Sequence, residues 1–299
     1  MGHRRVPRAE DDLAPDRPVA APLAYREWGD PAAPALVFWP GLQLPAHVTL
    51  NEHGPELAAA TGRRVLAISP PGWETPPLHP DEYLLSALVR SLVAQLDALG
   101  LERAAFAGFS WGASLGCHVG ATAPERLDAL VLLDAGYTDF QDQPGFVEVD
   151  LATMTARTVE QSRQLRWSSW DDCFAFFRPR VREWSAAYER RLREGLREEG
   201  GFIVPVVPPE VVAAAAYGVV AERPSETLLP LASARVPVLL VVASDTVATE
   251  HGRRALERFR SAVPAAEVCE LDSGHDLLAD APRETIAAVA AFHRPDVGG

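Results

Sequence analysis

The stretch AAFAGFSWG, residues 104–112, decides the fold of this 299-residue chain. Its first six residues read as a buried strand, and the small apolar residues 113–122 that follow read as a helix. Between them stands G-x-S-x-G, the pattern of a sharp strand-to-helix turn that lifts a serine hydroxyl beyond the sheet. Gly108 and Gly112 allow the helix to pass close to the strand. The stretch therefore predicts Ser110 as a nucleophile.

Apolar runs flank this stretch and alternate with segments of helical spacing. Such alternation implies crossover connections and a mostly parallel sheet. The runs are almost continuously apolar, as strands covered on both faces are. We therefore predict an α/β fold, with a mostly parallel central sheet and helices on both faces. The predicted strands are 23–30, 35–39, 64–69, 104–109, 127–134, 236–242 and 266–271, and the predicted helices are 56–61, 83–99, 113–122, 252–261 and 282–292.

The α/β pattern is interrupted after residue 139 by a segment rich in Arg, Glu and helical spacing. Its one strand-like run, 202–207, contains Pro205, which argues against a central strand. The mixed Arg and Glu residues of 182–199 indicate a solvated helix face. The expected organisation is a disordered tail at 1–21, a core formed by 22–139 and 225–299, and an inserted helical cap at 140–224.

Composition excludes several classes of function. With 28 Lys and Arg residues against 41 Asp and Glu, the net charge is −13, so no nucleic-acid partner is expected. The chain contains no lysine, which excludes Schiff-base chemistry. No apolar run is long enough to span a membrane, and the polar start lacks the apolar region of a signal peptide. The three cysteines suggest neither a metal site nor disulfides, so a cytoplasmic protein is expected.

The chain resembles the α/β-hydrolase superfamily, in the branch with a serine nucleophile and a helical cap, from residue 22 to residue 293. The resemblance rests on the Ser110 turn and on an acid and a histidine that follow in the order Ser, Asp, His. It implies that His275, in DSGHD after the last predicted strand, is the base. A serine nucleophile argues against epoxide hydrolases and haloalkane dehalogenases, relatives that use aspartate.

Three aspartates compete for the role of the acid that orients the base. Asp245 follows the predicted strand 236–242, where the superfamily carries its acid, and chain order favours it. Asp134 ends an earlier strand from which some relatives draw their acid, and Asp272 is close to His275 in sequence. The family often has Gly three residues before the acid, and this chain has Val242 there.

The resemblance also implies an oxyanion hole built from backbone N–H groups. One donor is the N–H of Trp111, which follows the nucleophile. The other is the N–H of Leu42, in the loop after strand 35–39. Relatives often carry His-Gly in that loop, whereas this chain has Pro40 before its Gly. The side chain of Gln43 is a candidate additional donor.

The expected function is hydrolysis of a carboxylic ester, lactone or thioester of a fairly apolar small molecule through an acyl-enzyme. The alternatives are a non-hydrolytic lyase or cyclase on the same fold, and a ligand-binding protein on a hydrolase scaffold. No metal and no cofactor are implied, the partner is a small-molecule substrate, and the oligomeric state stays open. The residues expected to line the substrate pocket are Trp39, Gln43, Trp73, Phe109, Trp167 and Trp170.

Overall fold

A seven-stranded sheet organises the part of the chain that the computed structural model describes, which is residues 22–42, 44, 46–142 and 149–293. The tail predicted at 1–21 lies outside these residues. The remaining two strands form a separate hairpin. The strands are β1 (Tyr25–Trp28), β2 (Ala35–Trp39), β3 (Arg64–Ile68), β4 (Ala104–Phe109), β5 (Leu127–Leu133), β6 (Leu196–Glu199), β7 (Phe202–Pro205), β8 (Val238–Ala243) and β9 (Glu267–Leu271).

The order of the strands in the main sheet is β1-β3-β2-β4-β5-β8-β9. Strand β1 pairs antiparallel with β3, and every other pair in this sheet is parallel. The prediction of a mostly parallel sheet is confirmed. Because the carboxyl ends of parallel strands meet at one edge, the residues that follow β4, β5, β8 and β9 gather there.

The helices cover both faces of the sheet, as predicted. They are α1 (Ala46–Leu50), α2 (Gly54–Thr61), α3 (Leu85–Ala98), α4 (Trp111–Thr122), α5 (Leu151–Gln164), α6 (Trp170–Phe177), α7 (Ala186–Gly195), α8 (Pro209–Ala221), α9 (Leu228–Ala234), α10 (Ser244–Ala248), α11 (Glu250–Ala262), α12 (Leu277–Asp280) and α13 (Pro282–Phe292). Helices α3, α4, α9 and α11 share one apolar cluster with the sheet, and α1, α2, α12 and α13 share another. Alternate residues of β2 enter the two clusters, since Phe38 packs in one and Trp39 in the other.

The segment between β5 and β8 holds helices α5 to α9 and the β6–β7 hairpin. Backbone hydrogen bonds between Trp167 and Ile203 extend the hairpin. Helix α8 packs into the same apolar cluster as α3 and α4, through Val211, Ala215 and Val219. The division into a core and a cap at 140–224 stays a prediction. None of the described helices has the length and apolar character needed to cross a bilayer.

Candidate active site

The turn at Ser110 joins β4 to α4 in a strained conformation. Ser110 has φ 53° and ψ −113°, a region that residues other than glycine seldom adopt. Its N–H donates to the carbonyl of Leu133, 3.0 Å away, at the end of the neighbouring strand. A Cβ on Gly108 would lie 2.1 Å from the carbonyl oxygen of Gly112, and a Cβ on Gly112 would lie 2.3 Å from that of Trp39. Only glycine fits at these two positions, so the packing enforces the sharp turn.

Two hydrogen bonds connect Ser110 through His275 to Asp134. The Nε2 atom of His275 lies 2.9 Å from Oγ of Ser110, and its Nδ1 atom lies 2.7 Å from Oδ2 of Asp134. The side chain of His275 is 54% exposed, whereas that of Asp134 is completely buried. The imidazole is therefore accessible on one side and held by a buried carboxylate on the other.

Asp134 receives hydrogen bonds at both carboxylate oxygens. The N–H of Ala243 donates to Oδ1 at 2.8 Å, and the hydroxyl of Thr246 donates to Oδ2 at 2.7 Å. The hydroxyl of Tyr137 lies 3.5 Å from Oδ1. Because buried polar atoms need hydrogen-bond partners, these contacts satisfy both carboxylate oxygens and fix the orientation of the carboxylate.

Asp245 is not the partner of His275, so that prediction is wrong. Helix α10 begins at Ser244, directly after β8, and each residue of a helix turns by about 100°. Asp245 consequently points outward with its side chain 60% exposed, and Thr246 points at Asp134. The carboxylate of Asp245 binds Arg182, whose Nη2 lies 2.5 Å from Oδ1.

Asp272, the third candidate, is not the hydrogen-bond partner of His275 either. Its side chain is almost fully exposed and accepts a hydrogen bond from Nη1 of Arg182 at 2.6 Å. That hydrogen bond and the charge of Arg182 lower the pKa of Asp272. Sequence reasoning did not single out Thr246 or Tyr137. Both follow strand ends at the same edge of the sheet, and that position is the signal that could have found them.

The pKa of His275 reflects opposing influences. Desolvation of the part of the ring that faces the protein lowers the pKa, but the hydrogen bond to Asp134, the charge of Asp134 and the charge of Asp276 together outweigh it. The pKa of His275 is therefore raised above its ordinary value. Burial also raises the pKa of Tyr137, and the nearby charge of Asp134 adds to that effect. Tyr137 thus stays a neutral hydroxyl beside the carboxylate.

The loop after β2 lies against the Ser110 turn. The N–H of Gly112 donates to the carbonyl of Pro40 at 3.1 Å, and a Cβ on Gly41 would lie 3.4 Å from Cβ of Ser110. Leu42 follows in this loop. Trp111 is the first residue of α4, where a backbone N–H has no acceptor within the helix. Both predicted oxyanion donors thus belong to segments that adjoin Ser110, while Gln43 lies outside the described residues.

Aromatic side chains form an apolar cluster beside the Ser110 turn. The rings of Trp73 and Trp111 stack with centroids 5.2 Å apart, and Trp39 meets Trp111 edge-on at 5.9 Å. All three are buried. The ring of Phe109 lies 5.3 Å from that of His275. Three of the predicted pocket residues, Trp39, Trp73 and Phe109, are therefore gathered around the Ser110 turn.

Residues 34–282 match the family model described as the alpha/beta hydrolase fold. The chain belongs to this family. It is also 36% identical over 85 residues to bifunctional epoxide hydrolase 2 of Sus scrofa. That match covers 28% of this chain and only 15% of the epoxide hydrolase, so the chain corresponds to a small part of that relative.

Solved structures share the fold of this alpha/beta hydrolase over most of its length. A crystal structure of E-2-(acetamidomethylene)succinate hydrolase has a TM-score of 0.70 at 19% identity, covering 90% of this chain and 94% of the other. The thioesterase domain from the curacin biosynthetic pathway has a TM-score of 0.68 at 18% identity, covering 90% and 93%. The enol-lactonase from Burkholderia xenovorans has a TM-score of 0.65 at 19% identity, covering 90% and 95%. At these identities the likeness shows the fold alone.

Two predicted pocket residues of this alpha/beta hydrolase, Trp167 and Trp170, have their ring contacts within the insert. Trp167 packs against Phe176 and Phe177, each 5.3 Å away between centroids. Trp170 donates to Glu198 from its indole nitrogen at 3.2 Å. A thin helical layer needs large rings to build a core of its own, and these residues supply it. Their contact with a substrate stays a prediction.

The Arg- and Glu-rich face of 182–199, which we predicted to be solvated, is largely exposed and also forms ion pairs with other segments of the chain. Arg190 binds Glu52 through Nε at 2.7 Å and Nη2 at 3.0 Å. Arg191 binds Asp276, next to His275, at 2.8 Å. Arg190 and Arg191 therefore pair with residues outside α7, whereas Arg193 lies over the rings of Trp170 and Phe174.

Three acidic residues near His275 form ion pairs with arginine. Asp245 and Asp272 bind Arg182, and Asp276 binds Arg191. Within the ranges that the structure describes, no group of three or more His, Cys, Asp or Glu residues is arranged to hold a metal ion. That no metal takes part stays a prediction.

Proposed function

We propose that this alpha/beta hydrolase is a serine hydrolase that cleaves a carboxylic ester, lactone or thioester of an apolar small molecule. One observation carries the proposal, the pair of hydrogen bonds of 2.9 and 2.7 Å that connects Ser110 through His275 to Asp134. A serine hydroxyl becomes nucleophilic when a base accepts its proton, and the base needs a third group to hold its orientation. In this proposal Ser110, His275 and Asp134 are the catalytic triad.

The geometry suggests how each group acts. Asp134 keeps a proton on Nδ1 of His275, which leaves Nε2 free to accept the proton of Ser110 as Oγ attacks the carbonyl carbon. The N–H groups of Trp111 and Leu42 bind the negative oxygen that forms. His275 then gives its proton to the leaving oxygen or sulfur, and an acyl-enzyme remains. Water, deprotonated by His275, attacks the acyl group and releases the acid with Ser110 restored.

The substrate class follows from the surroundings of Ser110. The buried rings of Trp39, Trp73 and Trp111 and the nearby Phe109 form an apolar side to the site. Burying apolar substrate surface there is favourable at about 25 cal/mol per Å². Among proteins of this fold, the thioesterase domain and the enol-lactonase support acyl transfer. A serine at position 110 argues against epoxide opening, which relatives perform with an aspartate.

A panel of p-nitrophenyl esters from acetyl to decanoyl tests the function. We expect turnover, with kcat/KM rising by about tenfold or more from acetyl to hexanoyl, because each buried methylene contributes roughly 0.8 kcal/mol. Lactones and thioesters with matching acyl chains identify the preferred leaving group. If the folded protein turns over none of these compounds, the proposal is contradicted, and a lyase, a cyclase or a ligand-binding protein becomes the better reading.

The pH dependence of kcat/KM reports the protonation of His275. Protonated imidazole cannot accept the proton of Ser110, so activity is lost as the pH falls through the pKa of His275. Because that pKa is raised, we expect the midpoint of the acid limb to lie above 6.5, the ordinary value for histidine. The charge of Asp276 contributes to the rise, so Asp276→Asn should move the midpoint to lower pH.

Asp276→Asn is a suitable variant because it preserves a helix cap and has a matched control. Asp276 accepts the N–H of Ala279 at the start of α12, and asparagine caps helices equally well. Asp272→Asn is the matched control, because it removes a carboxylate of the same loop that does not act on the pKa of His275. A midpoint that moves equally in both variants, or in neither, would contradict this account.

A further inference from the structure

We propose that Thr246 is a positioning residue that acts on His275 through Asp134, an inference that rests on the proposed triad. The hydroxyl of Thr246 donates to Oδ2 of Asp134 at 2.7 Å, and Nδ1 of His275 lies 2.7 Å from the same oxygen. Thr246 does not touch the reacting atoms. Its role is to hold the carboxylate that holds the base.

The two hydrogen bonds that fix the carboxylate of Asp134 come from one short segment at the end of β8. The backbone N–H of Ala243 fixes Oδ1 and the side chain of Thr246 fixes Oδ2, so the plane of the carboxylate cannot rotate without breaking one of the bonds. Thr246 lies within α10, where its β-branched side chain has restricted χ1 freedom. The hydroxyl is therefore held in place before any substrate arrives.

The hydrogen bond from the Thr246 hydroxyl also stabilises the negative charge of Asp134. The carboxylate is completely buried, so little of its charge is dispersed by water. Without the hydroxyl, Oδ2 would have His275 as its single donor among the described residues, and more of the charge would act on the imidazolium. Removal should therefore raise the pKa of His275. Asp276, paired with Arg191, and neutral Tyr137 are the other groups near this pair, and the substitution leaves them unchanged.

Thr246→Val tests the proposal, because valine has the shape of threonine without the hydroxyl. We expect kcat to fall by about 10- to 100-fold, as when the partner of a functional ligand is removed, with KM changed by less than about threefold. We also expect the NMR titration of His275 to move to higher pH. Thr246→Ser, which keeps the hydroxyl, should restore most of both properties.

The controls separate this role from loss of structure and from failure of the proposed function. Thr155→Val removes a hydroxyl that bonds within α5 of the insert, and it should change neither kcat nor the titration. The His275 resonance is assigned from its loss in His275→Gln, so the titration needs no substrate and stands even if no ester is cleaved. An unchanged titration in folded Thr246→Val, or a serine variant that fails to rescue, would overturn the proposal. Thr246→Ala provides the same readout if valine lowers the melting temperature.

Discussion

Replacing Ser110 with alanine should lower the turnover of any ester substrate by roughly 10⁴-fold or more. Members of a catalytic triad act as a unit, so loss of the nucleophile removes the covalent route altogether. Alanine keeps the Cβ atom and meets the same strained backbone at φ 53°, so the turn and the fold should survive. The measurement is kcat/KM with the preferred p-nitrophenyl ester, together with labelling by a fluorophosphonate, which should disappear.

Ser233→Ala is the matched control for that substitution. Ser233 is exposed on α9, and its hydroxyl bonds only to the carbonyl of Leu229, one turn earlier, among the described residues. It should keep wild-type turnover and wild-type labelling. Turnover within about tenfold of wild type by folded Ser110→Ala would remove Ser110 from the mechanism.

Replacing Asp134 with asparagine should reduce turnover by about 10³- to 10⁴-fold. The N–H of Ala243 requires an oxygen acceptor at the position of Oδ1, so the amide oxygen must turn toward Ala243. The amide NH₂ then faces Nδ1 of His275, which can accept it only as the tautomer with its proton on Nε2. A protonated Nε2 cannot take the proton of Ser110, and the base is lost although the ring remains in place.

Asp245→Asn is the comparison that decides between the two aspartates. Asp245 is exposed and binds Arg182, and exposed ion pairs contribute little, so its turnover should stay within about threefold of wild type. Circular dichroism and melting temperatures establish that both variants fold. A loss of more than about 100-fold in Asp245→Asn would contradict the assignment of Asp134, even if Asp134→Asn proved too unstable to assay.

The local sequence was sufficient to predict most of the strands and helices of the core. Strands β2 and β4 have the predicted bounds because each is an uninterrupted apolar run that ends at Pro40 or at the Ser110 turn. The turn itself could be predicted because its G-x-S-x-G pattern stands between a strand-like run and a helix-like run. Covalent neighbours supply these signals, so they are visible without knowledge of tertiary structure.

The identity of the acid could not be read in the same way. Asp134 and Asp245 both follow buried strands, and both lie between Ser110 and His275 in the sequence, so the chain order that we used to favour Asp245 does not separate them. The choice depends on where α10 begins, because starting the helix at Ser244 turns Asp245 outward and brings Thr246 to Asp134. That start, and the arginine that then binds Asp245, depend on contacts between distant segments.

The insert was the least predictable region. The sequence Leu-Arg-Glu-Glu at 196–199 is composed of good helix formers, yet it forms β6 because β7 lies beside it to pair with. Its charged face is largely exposed, as predicted, but the ion pairs that Arg190 and Arg191 form with other segments could not be predicted. Those ion pairs depend on Glu52 and Asp276, which are distant from α7 in sequence.

The placement of Asp134 has a consequence for how this architecture can diversify. Ser110 and Asp134 terminate adjacent strands that precede the insert, and the bond from Ser110 N–H to Leu133 ties the two ends together. In the proposed triad, only His275 comes from the part of the chain after the predicted insert. Exchanging the insert for one of another length would therefore disturb a single catalytic distance, that from the His275 loop, while nucleophile and acid stay in register. With the predicted cap and the proposed triad, a lineage of this architecture could exchange the cap, and with it the choice of substrate, without moving the nucleophile and the acid.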